Sequence, residues 1–216
     1  QTGKYSSAAG VWRNGLRLTA EQPRLSVAFQ RAGYFTGYIG KWHLSESEPV
    51  PRGEQIGYDY WMGANILEFV SDAYDLQLFD VEGNGHRFPG YRVDAQTDLA
   101  IRFIDEHKSE PFFLIVSYLE PHHQNSIDAY PAPTGYERMY SDPWMPGDLR
   151  ALGGSSVQHV PGYYGMVKRL DESLGRIEDA LRSLALLDNT ILLYLSDHGN
   201  HFKTRNEEYK RSCHDA

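Results

Sequence analysis

The stretch that decides the fold runs Thr190-Ile191-Leu192-Leu193-Tyr194-Leu195-Ser196-Asp197-His198-Gly199. An unbroken apolar run, bounded by the turn-prone Asp188-Asn189 and by Gly199, is typical of a strand buried on both faces. We expect it to deliver Asp197 and His198 to its C-terminal end, where ligands bind in open α/β sheets. There the pair could hold a metal ion, or cap a turn and bond a carbonyl, and spacing alone leaves both interpretations open.

Working outward, apolar periodicity predicts that helices and strands alternate along the chain. We expect helices at about 25–32, 93–107 and 163–184, strands at 34–40 and 112–119, and a small hairpin around Gly83-Asn84-Gly85. Strand–helix alternation is the pattern of a parallel sheet with crossover helices. The expected fold class is therefore α/β, a sandwich around a mostly parallel sheet, with residues 1–216 forming a single partial domain.

Composition excludes several classes of protein. The chain has 21 Lys+Arg against 29 Asp+Glu and a net charge of -8, which argues against nucleic acid as the main partner. No segment approaches the roughly 18 apolar residues of a membrane span. The single Cys213 rules out an internal disulfide framework. No signal segment precedes Thr2 and no tail signature closes the chain, so we expect an excerpt from something longer.

Basic residues or potential metal ligands follow three of the predicted strands: Lys41 with His43, His122 with His123, and Asp197 with His198. The run from Gly33 to His43, GYFTGYIGKWH, resembles the second signature of the sulfatase family in the alkaline phosphatase superfamily. Similar agreement is found in Thr2-Gly3-Lys4-Tyr5, Gly57-Tyr58-Asp59-Tyr60, Tyr118-Leu119-Glu120-Pro121-His122 and the block from Leu170-Asp171 to Ser196-Asp197-His198-Gly199. The resemblance covers nearly the whole chain and implies an alkaline-phosphatase-like fold with an active site at the strand C-termini.

The same resemblance implies catalytic roles for three residues. Lys41 would hold a sulfate oxygen as a fixed ammonium, and His43 would act on the hydrated nucleophile when sulfate is expelled. His122 would contact the sulfate or protonate the leaving oxygen. The neighbouring His123 is its less favoured rival, and either histidine could instead be structural.

Two further residues are expected to bind substrate. Lys210 resembles the lysine that bridges sulfate and leaving group in the family, with Lys203 as its rival and an exposed surface lysine as the alternative. Asn14 lies where some relatives place a substrate-contacting asparagine, although Asn14-Gly15 is also an ordinary turn pair.

The resemblance also implies cofactors. Asp197 and His198 would be metal ligands, and Ca²⁺ is the expected divalent ion, although imidazole also suits manganese or zinc, and Mn²⁺ or Mg²⁺ are alternatives. The nucleophile would be a formylglycine made from the cysteine of a CxPxR motif upstream of Gln1, by a formylglycine-generating or equivalent maturation enzyme. The Lys-Arg-Ser-Cys-His sequence around Cys213 does not fit that motif.

The implied function is a sulfuric ester hydrolase, periplasmic or secreted, that cleaves the sulfate esters of small molecules or carbohydrates. A sulfated carbohydrate is favoured by family habit and by the polar, aromatic-rich loop between residues 124 and 160. Four aromatic residues could form the floor of a sugar or aryl pocket, or simply pack: Trp42, Tyr58, Trp61 and Trp144.

Other functions remain open at the level of sequence. A phosphonate monoester or phosphodiester hydrolase of the same superfamily is the nearest, but such relatives usually have Tyr and Thr at positions 41 and 43. A phosphoethanolamine transferase is less favoured, because no membrane segment accompanies the domain. A non-catalytic remnant that binds sulfated glycans should have lost its charged site residues, yet these are in place: Lys41, His43, His122, Asp197 and Lys210.

Overall fold

The computed structural model describes residues 1–13, 15–19 and 21–211, which fall into two compact units. The first unit comprises residues 1–119 and 176–186, and the second comprises residues 120–175 and those from 187 onward. Asn14 and Cys213 lie outside the described residues. No helix in the described part of the chain is long and apolar enough to cross a membrane.

The described strands all belong to the first unit: β1 (Phe35–Lys41), β2 (Tyr60–Ala64), β3 (Asp75–Phe79), β4 (Gly85–Pro89) and β5 (Phe112–Ser117). The described helices of the first unit are α1 (Ser6–Ala9), α2 (Leu25–Arg31), α3 (Leu67–Val70) and α4 (Arg92–Glu106). Those that follow are α5 (Tyr136–Met139), α6 (Gly147–Ala151) and the long α7 (Ser156–Ser183).

These strands form one sheet in the order β4-β3-β2-β1-β5. The central strand β1 pairs in parallel with β2 and β5, so that Ile39 lies opposite Met62 on one side and Val116 on the other. The pairs β2-β3 and β3-β4 are antiparallel, and the turn between β3 and β4 contains the predicted Gly83-Asn84, with Gly85 beginning β4. The predicted α/β class is confirmed.

Helix α4 covers β1 because two glycines let it approach the strand. A Cβ added at Gly37 would collide with the ring of Phe103, and one added at Gly40 would overlap Nε2 of Gln96. The Gln96 side chain donates to the carbonyl oxygen of Ser117 in β5 at 3.2 Å. This close packing fixes the end of β1, where Lys41 begins the predicted site.

An aromatic cluster fills the core of the first unit. Trp42 and Trp61 are 4% and 2% exposed, and their rings meet edge to face with centroids 5.1 Å apart. Tyr38 stacks on Trp61, and Tyr58 is fully buried beside them. The pocket-floor interpretation of Trp42, Tyr58 and Trp61 is therefore wrong, because these rings are packed core. Trp144 is 72% exposed.

In the second unit, α7 packs closely on the segment around Tyr130. An added Cβ at Gly162 would overlap the carbonyl oxygen of Tyr130, and one at Gly165 would lie 2.7 Å from the Cβ of Ala132. The helix begins seven residues before the predicted position 163 and contains Pro161 in its second turn. A proline in the second turn removes one i→i−4 hydrogen bond and crowds the carbonyl four residues earlier, yet the helix continues through Pro161.

The predicted strand at 190–199 does not form. Residues 190–195 are irregular, and Ile191, Leu193 and Leu195 are 89%, 77% and 79% exposed. A strand buried on both faces needs hydrogen-bonded neighbours and covering layers, and no described strand pairs with this segment. The strand predicted at 112–119 forms as β5, which lies at the edge of the described sheet and is half-buried at every residue.

Candidate functional site

Lys41 ends β1 in a buried ion pair. Its Nζ lies 2.9 Å from Oε1 of Glu68 in α3, and the two side chains are 13% and 6% exposed. Tyr38 donates its hydroxyl hydrogen to the carbonyl oxygen of Lys41, which fixes the backbone there. A buried ammonium requires such a partner. Sequence reasoning found the lysine but missed Glu68, which lies 27 residues further along the chain.

His43 lies in a loop that Asn65 holds against the end of β1. The amide of His43 donates to the carbonyl of Asn65 at 2.8 Å, and Ser45 exchanges two hydrogen bonds with the Asn65 side chain. His43 itself has a left-handed backbone with φ 57°. Such conformations in residues other than glycine are uncommon and cluster at functional sites.

Glu48 completes this loop from the other side. Its Oε2 accepts hydrogen bonds from the amides of Asn65 and Ile66 at 2.8 and 3.2 Å. Burial raises the pKa of Glu48, while the two backbone donors act in the opposite direction. The loop that positions His43 therefore depends on a partly buried carboxyl group.

His122 follows β5 and belongs to the second unit, where its hydrogen bonds define its neutral tautomer. Its Nδ1 lies 2.6 Å from the carbonyl oxygen of His123, which can only accept, so Nδ1 carries the hydrogen. The Nε2 lone pair then faces the Nζ of Lys210 and the hydroxyl of Tyr209, each at 3.2 Å. His122 thus presents a proton acceptor toward an ammonium group.

His198 is arranged in the same way around Lys210. Its Nδ1 donates to the carbonyl oxygen of Gly199 at 2.8 Å, so in the neutral ring its Nε2 is an acceptor, and this atom lies 3.4 Å from the Nζ of Lys210. Buried His201 holds the backbone here, with its amide donating to Tyr209 and its ring to Lys210. One ammonium therefore lies between two imidazole nitrogens, an arrangement that can bind an anion and exchange a proton.

Asp197 is placed differently from its neighbour. Its side chain is 87% exposed, its Oδ1 accepts the amide hydrogen of His198, and its Oδ2 lies 3.6 Å from the Nε2 of His198. Calcium takes about six to eight oxygen ligands, so this carboxylate and one imidazole do not by themselves complete a calcium site. The assignment of Asp197 and His198 to a metal stays a prediction.

A different group is the possible metal site of the described residues. His123, Asp128 and His159 place one ligand atom each within 4.8 Å of one another. Sequence reasoning weighed His123 only as a rival of His122 and passed over the other two. The one available signal was the loop's content of histidine and aspartate, because spacings of 5 and 36 residues match no local ligand motif.

Lys203, the rival of Lys210, is paired elsewhere in the second unit. Its Nζ lies 3.2 Å from Oδ1 of Asp128. The structure thus brings His122, His198 and Lys210 together and gives Lys203 another partner. Because Lys41 and His43 belong to the first unit, the roles predicted for all these residues stay predictions.

Comparison with known proteins identifies the family. The family model described as Sulfatase matches residues 1–216. The ulvan-active sulfatase of Formosa agariphila is 30% identical over 207 residues, which cover 92% of this chain and 39% of that relative. The N-acetylglucosamine-6-O-sulfatase of Bacteroides thetaiotaomicron is 26% identical, covering 92% and 48% of the two chains.

A solved structure from Bacteroides thetaiotaomicron, described in connection with the metabolism of multiple glycosaminoglycans, shares the fold with a TM-score of 0.79. It is 21% identical, and the match covers 96% of this chain and 49% of that one. The chain thus spans less than half the length of each of these relatives. With its full length matched by the family model, this chain belongs to the sulfatase family.

Proposed function

We propose that the protein is a sulfuric ester hydrolase that acts on sulfated carbohydrates. The observation that carries the proposal is the Lys210 ammonium, which lies within 3.4 Å of the Nε2 atoms of His122 and His198. Hydrolysis of a sulfate monoester needs positive charge on the sulfuryl oxygens and a proton for the leaving oxygen. The family and the names of the two relatives support a carbohydrate sulfate as substrate.

The proposed chemistry begins with an exchange of partners at Lys210. A sulfate oxygen would take over hydrogen bonds that the ammonium now donates to the two imidazoles. The Nε2 of His122 would then take up a proton from water and deliver it to the ester oxygen as the sulfur–oxygen bond breaks. The products are the sugar alcohol and sulfate, with water supplying the remaining oxygen and hydrogens.

Lys41 and His43 would serve the same reaction from the end of β1. The ammonium of Lys41 would hold a second sulfuryl oxygen. To bind there, that oxygen has to compete with the carboxylate of Glu68 for the ammonium. His43 would accept a proton during release of sulfate from the nucleophile. Glu68 is thereby a positioning residue, because it acts on the sulfate only through Lys41.

The proposal includes partners and cofactors that the family resemblance implies. A divalent metal, with Ca²⁺ expected and Mn²⁺ or Mg²⁺ as alternatives, would add positive charge near the sulfate. Asp197 and His198 would be two of its ligands, with the others coming from outside the described residues. The formylglycine nucleophile would be made by a formylglycine-generating or equivalent maturation enzyme, and the protein would work in the periplasm or outside the cell.

The test is hydrolysis of a chromogenic aryl sulfate by the full-length protein, run beside the matching phosphate diester. We expect sulfate turnover to dominate and kcat to fall about 10²- to 10³-fold in Lys210→Met, the loss typical of one electrostatic donor. Lys168→Met is the matched control, since Lys168 pairs with Glu172 on the surface of α7. It should keep wild-type kcat.

Each other outcome contradicts a stated part of the proposal. Dominant turnover of the phosphate diester would make the protein a phosphodiester or phosphonate monoester hydrolase. A large loss in Lys203→Met with an active Lys210→Met would transfer the role to Lys203. No turnover of either substrate or of a panel of sulfated sugars, with those sugars still bound, would indicate a glycan-binding protein.

A further inference from the structure

Three side chains from different segments of the second unit converge on one point. His123 lies in the loop after β5, Asp128 follows the short turn Asn125–Ile127, and His159 lies in the first turns of α7. The Nε2 of His123 is 2.8 Å from Oδ1 of Asp128, and all three ligand atoms lie within 4.8 Å of one another. Two imidazoles and one carboxylate therefore point to a common position.

The two histidines of this group are deeply buried. His123 and His159 are each 5% exposed, and neither ring nitrogen of His123 has a hydrogen-bond partner in the described part of the chain. The Asp128 oxygen is close to Nε2 but is not aligned as a hydrogen-bond acceptor. A buried polar group left without a partner costs about 1–3 kcal/mol, so a ligand at this position would remove a penalty.

The surroundings hold both imidazole rings in place. The ring of Tyr130 lies against both, with centroids 5.1 Å from His123 and 5.3 Å from His159. The ring of Tyr209 lies 4.8 Å from His123 on another side. An apolar shell of this kind fixes ligand orientation and limits access of water to a metal. Asp128, at 61% exposed, leaves an entry path from solvent.

Lys203 places a positive charge beside this group. Its Nζ lies 3.2 Å from the same Oδ1 of Asp128 that faces His123. Metal–ligand bonds of about 2.1 Å put neighbouring ligand atoms of one ion about 3 to 3.5 Å apart. Binding would therefore contract the group by roughly 1 Å and displace the ammonium, with no change in the fold required.

From this geometry we propose that His123, Asp128 and His159 bind a transition-metal dication of the zinc type. The donor set is two nitrogens and one oxygen, which suits zinc and its neighbours, whereas calcium and magnesium favour oxygen ligands. Water would fill the fourth position of a tetrahedral site. The ion would tie the loop that begins at His122 to helix α7. This site is distinct from the one predicted at Asp197 and His198.

The test uses full-length, tag-free protein stripped of metal and titrated with Co²⁺, whose visible absorption reports tetrahedral nitrogen and oxygen ligands, followed by displacement with Zn²⁺. Asp128→Asn removes the carboxylate charge from an exposed side chain and should weaken Co²⁺ binding at least 10-fold. Asp142→Asn is the matched control, because Asp142 is an exposed aspartate of the same unit. It should bind Co²⁺ as the wild type does.

Lys203→Met should change the affinity in the opposite direction to Asp128→Asn, because removal of the competing ammonium should tighten Co²⁺ binding. A histidine and aspartate that merely pair with each other would not produce that effect. Asp197→Asn should retain the Co²⁺ spectrum. The proposal is overturned if Co²⁺ and Zn²⁺ do not bind, if binding ignores both Asp128→Asn and Lys203→Met, or if it is lost only in Asp197→Asn.

Discussion

Two glycines of helix α7 predict opposite effects of the same substitution. An added Cβ at Gly165 would lie 2.7 Å from the Cβ of Ala132 and 3.1 Å from the Cβ of Tyr136. At Gly175, ten residues further along the same helix, an added Cβ meets no atom within 4 Å among the described residues. Replacement of each by alanine therefore separates steric crowding from helix propensity.

The expected magnitude follows from these distances. Carbon atoms prefer to lie about 3.5–4.0 Å apart, so Gly165→Ala must move Ala132 away by about 1 Å. Overpacking costs about 1–3 kcal/mol, toward the upper end here because a Cβ cannot rotate away. Alanine returns about 1 kcal/mol of helix propensity, which leaves a net loss of about 1–2 kcal/mol. Gly175→Ala keeps only the gain of about 1 kcal/mol.

The assay is thermal and urea denaturation of the two variants of the full-length protein, followed by circular dichroism. The free energies of unfolding should differ by about 2–3 kcal/mol, which corresponds to melting temperatures about 4–12 °C apart, with Gly175→Ala the higher. Equal shifts in the two variants, or a more stable Gly165→Ala, would refute the close packing of α7 on the segment around Ala132.

Two further predictions concern charged groups. Burial raises the pKa of Glu172, but hydrogen bonds from Tyr136, Arg169 and Lys168 outweigh this effect and lower the pKa to about 2. Because an unfolded glutamate titrates near 4.3, the resulting stability is present above about pH 4.3 and is lost as the pH falls toward 2. Glu172→Gln should therefore reduce the decrease of the urea midpoint between about pH 4.3 and pH 2. Glu68→Gln leaves the buried ammonium of Lys41 without its counter-charge and should lower the free energy of unfolding by about 3 kcal/mol. Urea denaturation measures this change, and an unchanged midpoint would contradict the ion pair.

The sequence predicted the elements whose patterns are local. Strand β1 and helix α4 were expected within two residues of their observed bounds, because apolar spacing and flanking glycine mark them directly. The run 190–195 was misjudged for the opposite reason. An apolar run indicates that burial is favourable, but it does not identify the strand that would pair with it. No described strand pairs with this run.

Contacts between distant residues explain the rest of what sequence reasoning missed. Glu68 lies 27 residues from Lys41, and His159 lies 36 residues after His123, so neither pairing leaves a local pattern. The sequence left Trp42 open between a pocket floor and packing, because a loop tryptophan carries no local sign of its burial. Its burial depends on Trp61, which reaches it through the parallel pairing of β1 with β2.

The four tryptophans allow intrinsic fluorescence to distinguish the buried core from the surface. Trp42 and Trp61 are buried in the first unit, whereas Trp12 and Trp144 are 64% and 72% exposed. Fluorescence should therefore contain a blue-shifted component that iodide does not quench and a red-shifted component that it does. Loss of the protected component on denaturation would report unfolding of the aromatic core next to Lys41. Quenching of the exposed component would report the solvent accessibility of Trp12 and Trp144.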